Sequence, residues 1–491
     1  MASNIRKNYI YNVLYQIISI IVPFITAPYT SRVLGAQAIG DYSFTAANVS
    51  YFSIVAGLGL AAYGKRETAY YQNDKKKRSI VFFEVQCYKF VTTCIAVVAF
   101  LIFVHWFSPE DRRYLYQIQV ISILSVFFDI SWFFQGLEDF KITVIRNLFV
   151  KLVGTVGVFV FVHRSEDIGL YIALHCLISI VSNILLWPYL SKYIEYPGIK
   201  SIKPLRLTGP MLELFIPVIA IQVYNVLDKT LVGKVTKSSY ESGYYEQTTK
   251  IVSILLTLVT SLGGVLLPRM AAMYTNDETE QFEELATKAF QFVILCAFPL
   301  WAGIVSVANR FIPVFLGKGY EKVVELLYVY SLVIVIIPIS NIAGDAILTP
   351  TGQHNKGTVS VVAGACVNFL LNMVLISRLQ SMGAAIATVV AECVVTLMHV
   401  YFIRDNVDIN KIAKYYFRNF TSACVMGLVV FFVGLVLGNI GLKDVITLII
   451  QIIIGISFYY FWLVKVVKDG MFLEFRELIV NKFFQKRYKA E

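Results

Sequence analysis

Charged residues are scarce in this chain of 491 residues. Asp, Glu, Lys and Arg make up 15% of the sequence, whereas soluble domains carry about 25%. Hydrophobic residues make up 57%, and apolar runs long enough to cross a bilayer recur along the whole chain. This composition excludes an ordinary soluble enzyme and predicts an all-α integral membrane protein.

The motifs of several other protein classes are absent. The seven cysteines form no C-x-x-C pair, which excludes a zinc or disulfide framework of that kind. No G-x-x-x-x-G-K-[ST] string is present, so we expect no ATPase domain in the chain. The first apolar stretch contains Pro23 and Pro28 and is too long for a cleavable signal peptide. No cofactor, metal or catalytic residue is predicted.

Hydropathy predicts 14 transmembrane helices. At a rise of about 1.5 Å per residue, about 20 residues cross the apolar core, and each run is long enough. An even number of spans places both termini on the same side of the membrane. The predicted spans are 8–31, 40–62, 80–105, 114–136, 143–162, 169–190, 211–233, 246–267, 286–308, 323–347, 357–378, 382–403, 418–438 and 445–465.

The distribution of basic residues predicts the orientation. With both termini cytoplasmic, 28 of the 43 Lys and Arg fall in inner segments and 11 in outer segments, as the positive-inside rule requires. We therefore attribute the net charge of +11 to loops that face an anionic leaflet and expect no nucleic-acid partner. The basic and apolar stretch 467–491 predicts a cytoplasmic amphipathic helix, with a solvated tail as the alternative.

The sequence contains an internal repeat. The Leu-Gly pair at 58–59 returns at 262–263, an offset of 204 residues, and Gly169–Ala173 is echoed by Gly383–Ala387. Spans 1–6 are therefore predicted to match spans 7–12 in parallel, with spans 13–14 appended, although chance similarity of Gly-rich helix ends is the alternative. The predicted domains are 1–207, 208–404, 405–466 and the tail 467–491.

Polar residues follow one face of several predicted spans. In the first span they recur every three or four residues, and Pro23 and Pro28 would allow this helix to bend. Lipid cannot satisfy such groups, so the face must contact protein or water. Hydrogen bonding between helices of a static bundle is the alternative to a cavity wall. The predicted polar lining consists of Asn8, Asn12, Gln16, Asn147, Gln222 and Asn225.

Cations lie within or near the ends of these spans. Lys89 and Lys151 fall near the predicted midplane, where a lysine costs about 2.5 kcal/mol unless it meets water or a partner. Such cations call for an anion, which is either a protein carboxylate or the transported molecule. The other candidate cations for binding an anion are Arg32, Lys229 and Lys250. Anchoring to Asp41 is the alternative for Arg32, and a helical salt bridge with Glu246 is the alternative for Lys250.

Two carboxylates are candidates for binding a coupling ion. Glu392 falls near the midplane with Thr396 and His399 on its face, and Asp228 precedes Lys229. The sequence leaves open whether the coupling ion is H⁺, Na⁺ or none. Pairing with a lysine is the alternative for Glu392. A solvated helix end is the preferred interpretation for Asp228 and Lys229, which point about 100° apart on a helix.

Four segments resemble signatures of the oligosaccharide flippase family within the MATE-like superfamily. They are 23–35, 40–43, 267–269 and 383–388. The resemblance implies a V-shaped pair of bundles around a central cationic cavity. It also implies transfer of an undecaprenyl-diphosphate-linked oligosaccharide, for capsule or O-antigen synthesis, across the bacterial plasma membrane by alternating access. Lys89, Lys151, Arg32, Lys229 and Lys250 would then hold the diphosphate. A glycan polymerase complex is an expected partner.

Three other functions stay open. A peptidoglycan lipid-precursor flippase and a multidrug cation antiporter belong to the same superfamily. An antiporter is disfavoured because the first span carries no acidic residue between Asn8 and Arg32. A membrane glycan polymerase or ligase is of another class and is disfavoured by the short outer segments, which leave no room for an external catalytic domain.

Overall fold

The computed structural model describes residues 2–260, 270–274, 276, 278–474 and 476–477, and its regular elements in these ranges are all helices. The α-helices are α1 Ala2–Gly57, α2 Leu60–Tyr70, α3 Lys75–Phe107, α4 Arg113–Phe128, α5 Ser131–Gly136, α6 Phe140–Phe161, α7 Ile168–Ile184, α8 Trp187–Leu190, α9 Thr208–Thr236, α10 Ser239–Thr260, α11 Thr279–Phe315, α12 Glu321–Tyr330, α13 Val333–Asn341, α14 His354–Leu379, α15 Ser381–Ile403, α16 Ile409–Asn439 and α17 Asp444–Phe461. Two π-helices, Ile342–Leu348 and Trp462–Val467, follow α13 and α17.

The outer surface of the helices is suited to lipid. Eleven helical segments of the described ranges are long and apolar enough to cross a membrane. Large apolar side chains point outward along them, and Leu428, Phe432 and Val436 of α16 are 57%, 59% and 57% exposed. Such a surface is unfavourable in water and favourable among lipid tails. The prediction of an all-α, multi-span membrane protein is confirmed.

Helix α1 contains the first two predicted spans and is divided at Gly35. The backbone of Gly35 has φ 76° and ψ 169°, a conformation open to glycine and strained for other residues. Pro23 and Pro28 lie inside the helix, where we expected the bend. The break falls instead at the glycine, because only there does the backbone leave helical geometry.

The described helices form two compact units, Met1–Glu246 and Gln247–Glu491. The core of the first unit is aromatic, and its largest buried side chains include Trp132, Phe133 and Phe82. This division lies downstream of the predicted boundary at 207/208, and the parallel repeat stays a prediction. One member of the repeated Leu-Gly pair, at 262–263, lies outside the described residues.

The connector that precedes α9 is anchored to α3 by a buried carboxylate. Glu84 is fully buried, and its two oxygens accept hydrogen bonds from the Lys203 backbone N–H at 2.9 Å and from Arg206 Nε and Nη2 at 2.9 and 2.6 Å. Charge-assisted, bidentate bonds of this kind are stronger than neutral hydrogen bonds. They fix the position at which the chain enters α9.

The chain after the second π-helix is held by another buried carboxylate. Asp469 is fully buried, forms an ion pair with Arg418, and accepts a hydrogen bond from Tyr415 Oη at 3.1 Å. It also accepts the Phe472 N–H at 3.0 Å, which caps the helical residues 470–474. The predicted amphipathic tail lies mostly outside the described residues, since 478–491 are not among them.

Replacing Glu84 with Gln is expected to lower the free energy of unfolding by about 2 kcal/mol, because the new amide N–H₂ faces donors only. The measurement is thermal and denaturant unfolding of the purified protein in detergent. The matched control is Glu284→Gln, which removes an exposed helical ion pair with Lys288 and is expected to change stability by less than about 0.5 kcal/mol. Equal stability of the two variants would contradict this account of the connector.

Candidate functional site

In the first unit, the second half of α1 and the start of α10 touch through their backbones. A Cβ atom on Gly40 would lie 1.7 Å from the Ser239 carbonyl oxygen, and one on Gly243 would lie 2.0 Å from the Ala36 carbonyl oxygen. No side chain fits at either position. The two glycines therefore permit an approach that any other residue would prevent. We call this the α1–α10 contact, defined by residues 36–44 and 239–246.

A charged cluster holds one end of the α1–α10 contact. The Arg112 guanidinium, in the 3₁₀ turn before α4, forms an ion pair with Asp41 at 2.8 Å. Ser239 joins both groups, since its hydroxyl donates to Asp41 Oδ1 at 2.7 Å and accepts from Arg112 Nη2 at 2.8 Å. The sequence offered Arg32 as a partner for Asp41, whereas the structure pairs Asp41 with Arg112.

A second polar cluster joins α1, α9 and α10. Lys229 Nζ lies 2.7 Å from Glu246 Oε2, which also accepts a hydrogen bond from the Ser43 hydroxyl at 2.7 Å. Asp228 accepts a hydrogen bond from Tyr245 Oη at 2.8 Å. The neighbours Asp228 and Lys229 thus take different partners, as their angular separation predicts. Asp228 is only 7% exposed, so the interpretation of a solvated helix end is wrong for it.

Lys89 has a partner at a helix end. It is 2% exposed, and its ammonium donates to the Asp129 carbonyl oxygen at 2.6 Å. Asp129 is the C-cap residue of α4, where unpaired carbonyl groups carry a partial negative charge. We predicted that a buried lysine would need an anion, and here the α4 terminus supplies the negative charge. This contact anchors α3 to α4.

Lys151 lies on α6 and is partly exposed. Asn147, one turn earlier on the same predicted face, accepts hydrogen bonds from Arg146 Nη2 at 2.6 Å and from Arg146 Nε at 3.1 Å. Arg146 also reaches the Ser182 carbonyl oxygen of α7 at 3.3 Å. Asn147 therefore contributes to a contact between helices, while Lys151 keeps access to the surface.

The other predicted site residues differ in exposure. Arg32 and Gln222 are exposed, and Lys250, in the second unit, is partly exposed. Exposed or partly exposed cations can reach a soluble anion, whereas a buried one cannot. The side chains of Asn8, Asn12, Gln16 and Asn225 lie outside the described residues.

Glu392 is partly exposed on α15 of the second unit, and the two residues predicted to share its face bind the neighbouring helix. Thr396 donates to the Ile336 carbonyl oxygen at 3.3 Å. His399 Nδ1 lies 3.0 Å from the Ser340 hydroxyl and 3.1 Å from the Ser340 carbonyl oxygen. In the described parts of the chain, no three His, Cys, Asp or Glu side chains converge as metal ligands would.

Sequence reasoning did not identify the α1–α10 contact as a site. The one available signal was the similarity of Gly40-Asp41-Tyr42 to Gly243-Tyr244-Tyr245, which fits the internal repeat. No sequence signal marked Arg112 as a site residue. It lies in a connecting turn, and the distance of that turn from Asp41 depends on the packing of α1 against α4. Partners on different helices cannot be deduced from spacing along one helix.

The described chain has the fold of known multi-span transporters. The structure titled "Lipid II flippase MurJ, inward closed conformation" matches with a TM-score of 0.74 at 16% identity and covers 96% of this chain and 99% of that chain. An inward-facing multidrug resistance MATE family transporter of the MOP superfamily gives a TM-score of 0.58 at 13% identity, covering 81% and 98%. These likenesses define a MurJ/MATE-like membrane protein.

The family model described as "Polysaccharide biosynthesis protein" matches residues 5–274, more than half of the chain. The chain belongs to this family, which comprises transporters and flippases and not enzymes. An Escherichia coli (strain K12) protein named for O-antigen transport is 22% identical over 407 residues, covering 82% of this chain and 97% of the relative.

Replacing Gly243 with Ala is expected to destabilise the first unit by about 1–3 kcal/mol, because the added methyl group overlaps the Ala36 carbonyl oxygen. The measurement is the unfolding midpoint of the purified protein. Gly209→Ala serves as the control, since a Cβ there meets no atom within 4 Å. Unchanged unfolding of the Gly243 variant would mean that the α1–α10 contact is not tightly packed.

Proposed function

We propose that this protein is a flippase for a lipid-linked oligosaccharide. It moves an undecaprenyl-diphosphate-linked repeat unit from the cytoplasmic to the outer leaflet of a bacterial plasma membrane by alternating access, for capsule, O-antigen or a similar surface polysaccharide. Membership of the polysaccharide biosynthesis family and the likeness to a relative named for O-antigen transport support this proposal. We expect the glycan polymerase complex to receive the product.

The topology we propose has 14 spans with both termini cytoplasmic. The 11 apolar segments, the division of α1 at Gly35, and the helices α9 and α10 support this number. The excess of basic residues in the inner segments supports the orientation. In this topology the α1–α10 contact lies at the outer end of its helices.

The observation that carries the proposal is the polar character of the α1–α10 contact. Its ion pairs are accessible to water, since the side chains of Arg112 and Asp41 are 17% and 20% exposed and those of Lys229 and Glu246 are 32% and 17% exposed. Partly exposed pairs contribute about 1 kcal/mol or less each. A few such bonds hold the contact closed, yet the binding of cargo can offset their loss. We propose that the contact is an outer gate.

Arg32 and Lys151 are our candidates for contact with the diphosphate in the first unit, because both side chains reach the surface. A guanidinium and an ammonium are both suited to phosphate oxygens. Lys89 and Lys229 hold contacts between helices and are assigned to helix packing and to the gate. Lys250 stays a separate candidate in the second unit, and Asp228 and Glu392 stay candidates for a coupling ion.

A peptidoglycan lipid precursor is the alternative cargo with a specific observation behind it, namely the fold shared with a lipid II flippase structure. The two cargoes share a lipid diphosphate and differ in the sugar. The glycan that accumulates when the gene is deleted distinguishes them. We expect a surface-polysaccharide repeat unit, and we expect cell-wall precursors at wild-type levels.

In a deletion strain complemented with variants, Lys151→Ala is expected to reduce glycan export about tenfold or more, while Lys151→Arg retains most of it, because a cation near the diphosphate stabilises bound cargo. Leaflet-resolved extraction of lipid-linked glycan should find complete units held at the inner leaflet. The control is Lys141→Ala, an exposed lysine at the start of α6.

Normal export by Lys151→Ala would remove Lys151 from the diphosphate site. Accumulation of complete units at the outer leaflet in the deletion strain would contradict the flippase function itself. A polymerase or ligase role would then explain the phenotype.

A further inference from the structure

We propose that His399, together with Asp345, is a proton-binding site in the second unit. The site deepens the proposed function and rests on it, since a bound proton would supply the coupling ion for transport. Its position differs from those of Glu392 and Asp228, the two carboxylates that the sequence indicated.

The His399 ring is buried against the backbone of neighbouring helices. His399 is 5% exposed and packs against the backbone where α13 continues into the π-helix Ile342–Leu348. A Cβ on Gly344 would lie 3.0 Å from His399 Cε1, and a Cβ on Gly357 would lie 3.9 Å from Nε2. Gly344 thus leaves room for the ring, whereas a Cβ on Gly357 would be in ordinary van der Waals contact with it. π-helical turns are rare, and those that occur are often found at functional sites.

The contacts of the two ring nitrogens indicate where His399 can bind a proton. His399 Nδ1 lies within hydrogen-bond distance of both the hydroxyl and the carbonyl oxygen of Ser340. A carbonyl oxygen only accepts, so we assign the hydrogen of the neutral ring to Nδ1. The other nitrogen, Nε2, lies beside the Gly357 backbone and makes no hydrogen bond of standard geometry in the described residues. Nε2 is therefore the atom available to take a proton.

A carboxylate lies on the π-helix that packs against the His399 ring. Asp345 lies in the π-helix, one residue after Gly344, the glycine that faces the His399 ring, and its side chain reaches the surface within an apolar span. An exposed carboxylate in such a span must face water or a cation. A proton on Nε2 would create a cation on the ring that packs against this same π-helix. Hydrogen bonds that form when the His399 ring binds a proton would then link α15 more strongly to the π-helix.

Other charged groups on the surrounding described elements have partners of their own. Lys356, at the start of α14, lies 2.6 Å from Gln353 Oε1 and over the Phe402 ring. Lys322 and Glu325 of α12 pair with each other at 3.3 Å. On α11, Lys288 pairs with Glu284 and Arg310 with Asp444. The same elements also carry Glu280, Glu283, Glu321, His354, Arg378, Glu392 and Arg404.

The test observes the site without requiring transport. We would record ¹⁵N spectra of the full-length protein, with labelled histidine, in nanodiscs between pH 5 and pH 8. The chain has five histidines, and His399→Gln identifies the resonance of interest. We expect a neutral ring with hydrogen on Nδ1 that gains a proton on Nε2 within this range, and whose titration shifts in Asp345→Asn.

The proposal would be overturned if the His399 resonance stays in one protonation state from pH 5 to pH 8. It would also be overturned if the neutral ring has its hydrogen on Nε2 and not on Nδ1. The exposed His354 provides the control, because His354→Gln should leave the His399 titration unchanged.

A second measurement separates this site from the flippase function. In liposomes with a proton gradient, wild-type flipping of a lipid-linked glycan should be accelerated about tenfold, and His399→Gln should lose that acceleration while keeping the gradient-free rate. Gradient-driven flipping by His399→Gln equal to wild type would overturn the coupling role. A His399 that titrates in a wild-type protein unable to flip any glycan would leave the site standing and refute the proposed function.

Discussion

The backbone approach of α1 to α10 is the constraint on which the first unit depends. Gly40 and Gly243 allow it, and the polar clusters around Asp41 and Glu246 surround it. An apolar interface of the same size would be stable in one state and slow to open. Partly hydrated ion pairs are weak enough to break and specific enough to re-form. This balance is what a transporter that alternates between two states requires.

Hydropathy and charge distribution predicted the class of the fold, because lipid imposes a length and a polarity on every span. The same rules did not predict partners between helices. Lys89 illustrates the difference, since its burial required a negative partner but spacing along α3 could not identify the α4 terminus as that partner. The bend in α1 is another case, because Gly35 changes the backbone where the two prolines do not.

The π-helix beside His399 lies beyond prediction from helical periodicity. Helical periodicity placed His399 on the face of Glu392, but it did not predict that the ring contacts Ser340 and the π-helix that follows. The first unit thus contains the proposed gate and the second the proposed proton site. Each was found from contacts that sequence spacing does not encode.

The most direct test of the account is to prevent the α1–α10 contact from opening. Tyr51 Oη of α1 and Thr230 Oγ1 of α9 lie 3.1 Å apart, next to the contact but outside its ion pairs. Cysteines at these two positions, in a protein whose seven native cysteines are replaced by alanine, can be joined by a short cleavable thiol cross-linker. We predict that cross-linking stops glycan flipping in liposomes and that cleavage of the linker restores it. Undiminished flipping by fully cross-linked protein would contradict the proposed gate.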